Sequence, residues 1–186
     1  RKELIGRNNV VVLSPEEQSV TKGAPSERRQ FFDKMFSVTS RDYVDLLQAY
    51  NRVLKQRNAA IQQARENRRP TEEIQHWDEQ LINTGQALWK LRFNFMTDFK
   101  THLQSIIERY DTSIRLKLEY IKTVPTVKSY QEEIQESLTK DIALGRTTIG
   151  PHRDDISFIW DDRNLRSFGS QGEHKLSLVL LKLAEL

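Results

Sequence analysis

The chain has 186 residues, enough for one domain with a sizeable core or for two small lobes. Charged residues make up 30% and the hydrophobic set 37%, a globular composition with long solvated helical faces. The net charge of +3 leans only mildly toward an anionic partner and does not by itself indicate nucleic-acid binding. With no cysteine, a disulfide framework and a thiolate metal site are both excluded. No apolar run approaches the ~18 residues that a membrane-spanning helix needs. Nothing after Arg1-Lys2-Glu3 reads as a signal peptide.

Val10-Val11-Val12-Leu13, ended by Ser14-Pro15, reads as a short buried strand. Ala24-Pro25-Ser26-Glu27 opens a short helix with Phe31, Phe32, Met35 and Phe36 on its apolar face, and Arg28 and Arg29 pointing elsewhere. Ser40 caps the next helix, where Tyr43, Leu46, Leu47, Tyr50, Val53, Leu54, Ala60, Ile61 and Ala64 recur at spacings of three and four. Arg57 interrupts that rhythm where an apolar residue is expected. The helix runs to about Glu66, roughly 39 Å at ~1.5 Å per residue.

Asn67-Arg68-Arg69-Pro70 breaks the pattern, and Thr71 is placed to cap a longer helix. Its stripe is Ile74, Trp77, Leu81, Leu88, Leu91, Phe95, Phe99, Leu103, Ile106, Ile107 and Tyr110, with Gly85 as the one weak point. Two such helices joined by a tight polar turn make an antiparallel αα-hairpin, with the aromatics as core. Ile114, Leu116, Leu118 and Tyr120 then alternate with Arg115, Lys117 and Glu119, the period of a half-exposed strand. Tyr130 to Leu144 is a short helix stopped by Gly145. Ile156–Trp160 is a strand, Asp161–Asn164 its turn, and Leu165–Phe168 the returning strand. Gly169-Ser170-Gln171-Gly172 leads into a final apolar helix that reaches Leu186 without a stop signal, so the chain reads as a segment of something longer.

The loop before the last helix carries the main chemical signal. Two glycines flank a serine at a helix start, which aims backbone N–H groups, a hydroxyl and the helix dipole at one place, a combination suited to phosphate. Taken alone, Gly-Ser-Gln-Gly is also the pattern of an ordinary loop-to-helix cap, and only context separates the two. His152-Arg153-Asp154 matches the start of a protein-kinase catalytic loop, but Ile159 stands where that loop needs asparagine, so that reading is rejected. His152, Asp154 and Asp155 match no firm metal-binding spacing, and no metal ligand is assigned. Candidate DNA-phosphate contacts are Lys22, Arg28 and Arg29, then Arg52, Lys55 and Arg57, then Arg65, Arg68 and Arg69 at the hairpin tip. The same residues also fit a solvated helix surface with partners such as Glu66.

Several blocks resemble the bacterial RecF family, in that family's order and over nearly the whole chain. They are Val11-Val12-Leu13-Ser14-Pro15-Glu16, Lys22-Gly23-Ala24-Pro25-Ser26-Glu27-Arg28-Arg29 with Asp33, and Arg52-Val53-Leu54-Lys55-Gln56-Arg57-Asn58. Two more are Gly150-Pro151-His152-Arg153-Asp154-Asp155 and Phe168-Gly169-Ser170-Gln171-Gly172-Glu173, followed by Leu181-Lys182-Leu183-Ala184-Glu185.

The resemblance implies a DNA replication and repair ATPase with an ABC-type (SMC-like) head, an inserted helical lobe, and ATP-driven homodimerisation on DNA. It implies RecR and RecO as partners, action at single-stranded gaps, at single-strand/double-strand junctions and in SOS induction, and a bacterial cytoplasmic setting. The expected fold is α+β and mostly α, a long helical hairpin plus part of the head. Residues 1–36 would connect head to lobe, 37–145 form the lobe, and 146–186 return to the head. In such heads the signature loop of one subunit contacts the γ-phosphate of ATP held by the other, a role that falls here on Ser170, Gln171, Gly172 and Glu173. Where the common pattern has glutamine this chain has Glu173, which suits a helix N-terminus but would repel a phosphate that it faced. Gly150 to Asp155 would form a structural joint, with buried ion pairing of Arg153.

The chain contains neither a Gly-x-x-x-x-Gly-Lys-Ser/Thr P-loop nor an acidic strand after the signature helix to hold Mg²⁺. The expectation is therefore half of an ATP site: ATP and Mg²⁺ serve the longer protein, and this segment alone does not hydrolyse ATP. A competing expectation is a helical protein-docking module whose basic residues contact no nucleic acid. A different ABC-type repair protein with a long coiled coil is disfavoured by the hairpin's length, ~60 Å at most.

Overall fold

The computed structural model describes residues 15–67, 72–124 and 129–185, and the strand expected over Val10–Leu13 lies outside them. A 3-10 turn over Pro15–Gln18 and one helical turn, α1 (Ser19–Lys22), bring the chain to Gly23. Helix α2 (Pro25–Thr39) starts on proline, whose missing N–H is no loss at a first helical position. Helix α3 (Arg41–Asn67) follows, and Ser40 Oγ accepts from the Tyr43 N–H at 3.2 Å as the spacing predicted. The second long helix is interrupted once. Helix α4 (Glu72–Gln75) ends in a turn at His76-Trp77 before α5 (Asp78–Tyr110) begins with two acids in its first turn.

Strand β1 (Leu116–Ile121) buries Leu116 and Leu118 and exposes Lys117 and Glu119, the alternation read from the sequence. Helix α6 (Tyr130–Leu144) is closed at its start by a reciprocal Ser129–Glu132 capping box, and at its end by Gly145 in the left-handed region at φ 68°. Strands β2 (Asp155–Trp160) and β3 (Arg163–Asn164) pair antiparallel, with Ile159 opposite Asn164 and Trp160 opposite Arg163. Asp161 and Asp162 both take positive φ, 46° and 61°, as a two-residue hairpin turn requires. The sheet order is β1-β2-β3.

The return strand expected over Leu165–Phe168 is corrected by the structure. Those residues form one helical turn, α7 (Leu165–Phe168), because the Asn164 side chain caps it, accepting from the Ser167 N–H at 3.3 Å. The ladder thus stops after two residues. Helix α8 (Gln171–Leu183) closes the described chain.

Two compact units divide the chain, one comprising Arg1–Phe31, Met96–Glu119 and Ile156–Leu186, the other Phe32–Phe95 and Tyr120–Asp155. In the second unit α3 and α5 run antiparallel. Tyr43 meets Arg92, Tyr50 meets Gly85, and Arg57 meets Asp78, ascending on one helix and descending on the other. A methyl group at Gly85 would lie 2.8 Å from the Tyr130 ring and 3.3 Å from the Tyr50 ring, so the apparent weak point is where two tyrosines press against a bare backbone. Ala60, Ile61, Ala64 and Ile74 continue the core toward the hairpin tip, flanked by Trp77, Leu138 and Ile142. In the first unit Val20 of α1 and Leu178, Leu180 and Leu181 of α8 are buried. Lys182 joins α8 to the 3-10 turn through Glu17 Oε1 at 2.7 Å and lies over the Phe31 ring.

Candidate functional site

Ser170 is the N-cap of α8. Its Oγ accepts from the Glu173 N–H at 3.3 Å, and Glu173 Oε2 in return accepts from the Ser170 N–H at 2.7 Å. This box occupies the Glu173 carboxylate with the loop's own backbone, which answers the repulsion that its position raised. The Ser170 hydroxyl hydrogen has no acceptor among the described residues. The N–H groups of Gln171 and Gly172, first and second in the helix, have no intrahelical partner by construction. Ser170, Gln171 and Gly172 are all exposed. A methyl group at Gly172 would meet nothing closer than Ser170 Oγ at 3.9 Å, so the space over its backbone is open. Three outward donors at a helix start make an anion-accepting surface.

The basic candidates separate by burial. Arg57 is 0% exposed and Arg28 3%, so neither reaches a phosphate, and both assignments are corrected. Arg28 Nη1 donates to the Gly23 carbonyl at 2.8 Å. Lys22, Arg52, Lys55 and Arg65 are exposed and Arg29 is half-buried, while Arg68 and Arg69 lie outside the described residues. Lys22 Nζ donates to Gln18 Oε1 at 3.2 Å.

Arg57 instead organises the second unit. Its Nε donates to Asp78 Oδ1 at 2.8 Å, and its Nη1 to Asp141 Oδ2 at 2.6 Å and to Thr147 Oγ1 at 2.8 Å. The other Asp141 oxygen accepts from the Thr148 N–H at 2.8 Å and hydroxyl at 2.6 Å. Asn58 Oδ1 receives the N–H and the hydroxyl of Thr147, each at 2.8 Å. Burial opposes the Arg57 charge, but the carboxylates of Asp78 and Asp141 outweigh it and raise its pKa above the ordinary value.

Arg92 forms a second centre. Its Nε and Nη2 hold the two oxygens of Asp33 at 3.0 and 2.9 Å, and its Nη1 reaches the Pro151 carbonyl at 2.7 Å. Tyr43 donates to Asp33 Oδ1 at 2.5 Å, and burial, reinforced by Asp33, raises its pKa so that it stays a donor. Tyr50 OH lies 2.7 Å from His152 Nδ1, and His152 Nε2 lies 3.1 Å from the Thr147 carbonyl. A carbonyl only accepts, so Nε2 carries a proton, and in the neutral imidazole Tyr50 donates to Nδ1. Asp154, 0% exposed, accepts from Trp89 Nε1 and from Tyr120 OH at 2.6 Å on one oxygen. Its other oxygen accepts from the Thr123 N–H at 2.8 Å and hydroxyl at 3.0 Å.

Gly150 to Asp155, read as a structural joint, is thus gripped from α3, α5 and β1 by hydrogen bonds. The ion pairing expected of Arg153 is corrected. Arg153 is half-buried, with a pKa lowered by burial and then by Arg146, and the buried ion pairs sit on Arg57 and Arg92. The periodicity had marked Arg57 as a break. Arg92 was missed although it falls on the buried stripe Leu81, Gly85, Leu88, Arg92, where a charge carries the same signal. Trp89, Asp141 and His174 had no signal of their own. Among the described residues no group of three His, Asp or Glu is arranged to hold a metal ion, and no helix is long and apolar enough to cross a membrane.

No protein-family profile matches the sequence. The DNA replication and repair protein RecF of Lachnoclostridium phytofermentans is 38% identical over 185 residues, covering 99% of this chain and 51% of its own length. RecF of Lachnospira eligens is 35% identical over 189 residues, covering 99% and 51%. A solved structure of the recombination mediator protein RecF-ATPrS in the RecFOR pathway matches with a TM-score of 0.87 at 27% identity, covering 99% of this chain and 52% of that one. The RecF-ATP structure of the same pathway matches at 0.86 and 26%. Sequence and fold agree: the chain belongs with the RecF proteins and spans about half the length of the curated relatives it matches.

Proposed function

We propose that this chain supplies the helical lobe and part of the ABC-type head of a RecF-type DNA replication and repair ATPase, and that its α8 loop contacts ATP held by a second subunit. The observation that carries this reading is the Ser170 cap. The box with Glu173 fixes the loop from within and leaves the Ser170 hydroxyl and the Gln171 and Gly172 N–H groups on exposed residues, free to donate. Those donors fit the γ-phosphate, whose negative charge is spread over its three oxygens during transfer. ATP with Mg²⁺ supplies the phosphoryl group when bound, and the residues described here bind and orient it without taking part in proton transfer. The Gly150–Asp155 segment serves as a structural joint, and its hydrogen bonds to α3, α5 and β1 support that role. RecR and RecO as partners, gapped DNA, SOS induction and a bacterial cytoplasmic setting extend from the family, and the RecFOR pathway named for the structural neighbours is consistent with the first two of these.

Ser170→Asp in the full-length protein tests the contact, because aspartate keeps a capping oxygen while setting a carboxylate against the phosphate. ATP-driven self-association, followed by sedimentation, should weaken about tenfold or more, the scale of a lost charge-assisted hydrogen bond, with ATP binding unchanged. A variant that dimerises as well as wild type would sink the contact in trans.

The remaining exposed cations on α3 are the proposed DNA contacts of the lobe. Replacing Arg52 and Lys55 together by alanine should weaken DNA binding and reduce the slope of log affinity against log salt by about 2. An unchanged slope would remove DNA from this face and favour the protein-docking reading.

A further inference from the structure

His174 stands directly behind the Ser170 cap, and nothing in the phosphate-accepting geometry has used it. It is 4% exposed, its Nδ1 is buried without a hydrogen-bond partner among the described residues, and a methyl group at Gly169 would lie 3.1 Å from its Nε2. The ring therefore packs against the backbone that enters the cap. Burial first, and then Lys22, lower its pKa from the ordinary 6.5, while Glu173 pulls the other way. Lys22 is the basic residue facing it from α1. On the 3-10 turn Glu17 is engaged by Lys182, and the one charged residue of α7, Arg166, is exposed.

We propose that His174 is a positioning residue for the α8 loop. As the neutral imidazole it fills the space beneath Gly169 and holds the donors of Ser170, Gln171 and Gly172 in place; as the imidazolium it forces the loop open. A charge there has no hydrogen-bond partner on Nδ1, sits at the positive end of a helix, and needs water that the packed state does not admit. The folded pKa lies below the unfolded value, so the unfolded or opened state binds the proton more tightly. The contribution of His174 to loop order is complete above the ordinary histidine value and is lost as pH falls below it. The consequence for pairing with ATP in trans rests on the function proposed above, but the loop itself responds without nucleotide.

Amide hydrogen exchange on the nucleotide-free full-length protein tests this, comparing about pH 7.5 with about pH 5.5 after correction for intrinsic rates. Protection of the residue 173–175 amides should fall about fivefold in wild type, and stay level in His174→Gln. Equal pH dependence in the two proteins overturns the proposal. If His174→Gln fails to fold, Lys22→Met serves instead. Removing that cation should move the wild-type transition to higher pH, and an unmoved transition overturns the proposal equally. The contact in trans fails separately, through Ser170→Asp at neutral pH, and its failure leaves this exchange profile unchanged.

Discussion

Replacing Arg57 by leucine should cost about 3–5 kcal/mol of folding stability, far more than the loss of an exposed arginine. The guanidinium is fully buried between Asp78 and Asp141, and Asp141 is itself 0% exposed. Leucine fills part of the volume but leaves the Asp141 carboxylate in the core with hydrogen-bond donors and no cation. The Thr147 hydroxyl also loses its donor from Nη1. Urea unfolding followed by far-ultraviolet circular dichroism measures the loss. The double variant Arg57→Leu/Asp141→Asn separates stranded charge from lost packing. Asparagine keeps an oxygen for the Thr148 N–H and hydroxyl and removes the charge, so it should recover about half of the loss. A double variant as unstable as the single one would show that packing, not charge, is what Arg57 contributes.

Asp154→Asn should be nearly as damaging as Asp154→Ala, at about 3 kcal/mol or more, although asparagine is isosteric. Both carboxylate oxygens act only as acceptors: one takes Trp89 Nε1 and Tyr120 OH, the other the N–H and hydroxyl of Thr123. Whichever way an amide is placed, its NH₂ faces donors, and buried groups on one side lose their partner. The hydroxyls of Tyr120 and Thr123 can rotate away, but Trp89 Nε1 and the Thr123 N–H cannot. Thermal unfolding checks this, and an Asn variant within about 1 kcal/mol of wild type would mean that water has replaced the lost acceptor. Because the same aspartate holds the segment that follows Gly150, the variant should also raise hydrogen exchange across residues 147–155.

Most of the element order was legible because its signals are local. Ser40, Gly145 and the turn at Asp161-Asp162 mark boundaries through their own backbone preferences, and the alternation across Leu116–Tyr120 is a property of five adjacent residues. The misread at Leu165–Phe168 has the same origin: four residues after a turn, apolar only at their two ends, fit a short return strand or one helical turn, and the Asn164 cap decided for the helix. The break at His76-Trp77 carries no glycine or proline, so nothing local announced it.

The site shows the opposite balance. The RecF-like blocks and the Gly-Ser-Gln-Gly loop were readable in order along the chain, since each is a run of consecutive residues. That Glu173 spends its carboxylate on the Ser170 N–H, and that His174 lies behind the cap with an unpartnered nitrogen, was not. Arg28 and Arg57 look like solvated cations one residue at a time, and only contacts such as Arg57 with Asp141, 84 positions away, make them core. The sequence by itself therefore determined the helices, the strands, the family and the place of the loop, because each rests on short-range periodicity or a contiguous motif. Only the tertiary structure decided which charges are buried, since the cost of burying a charge is set by partners that the chain brings together from a distance.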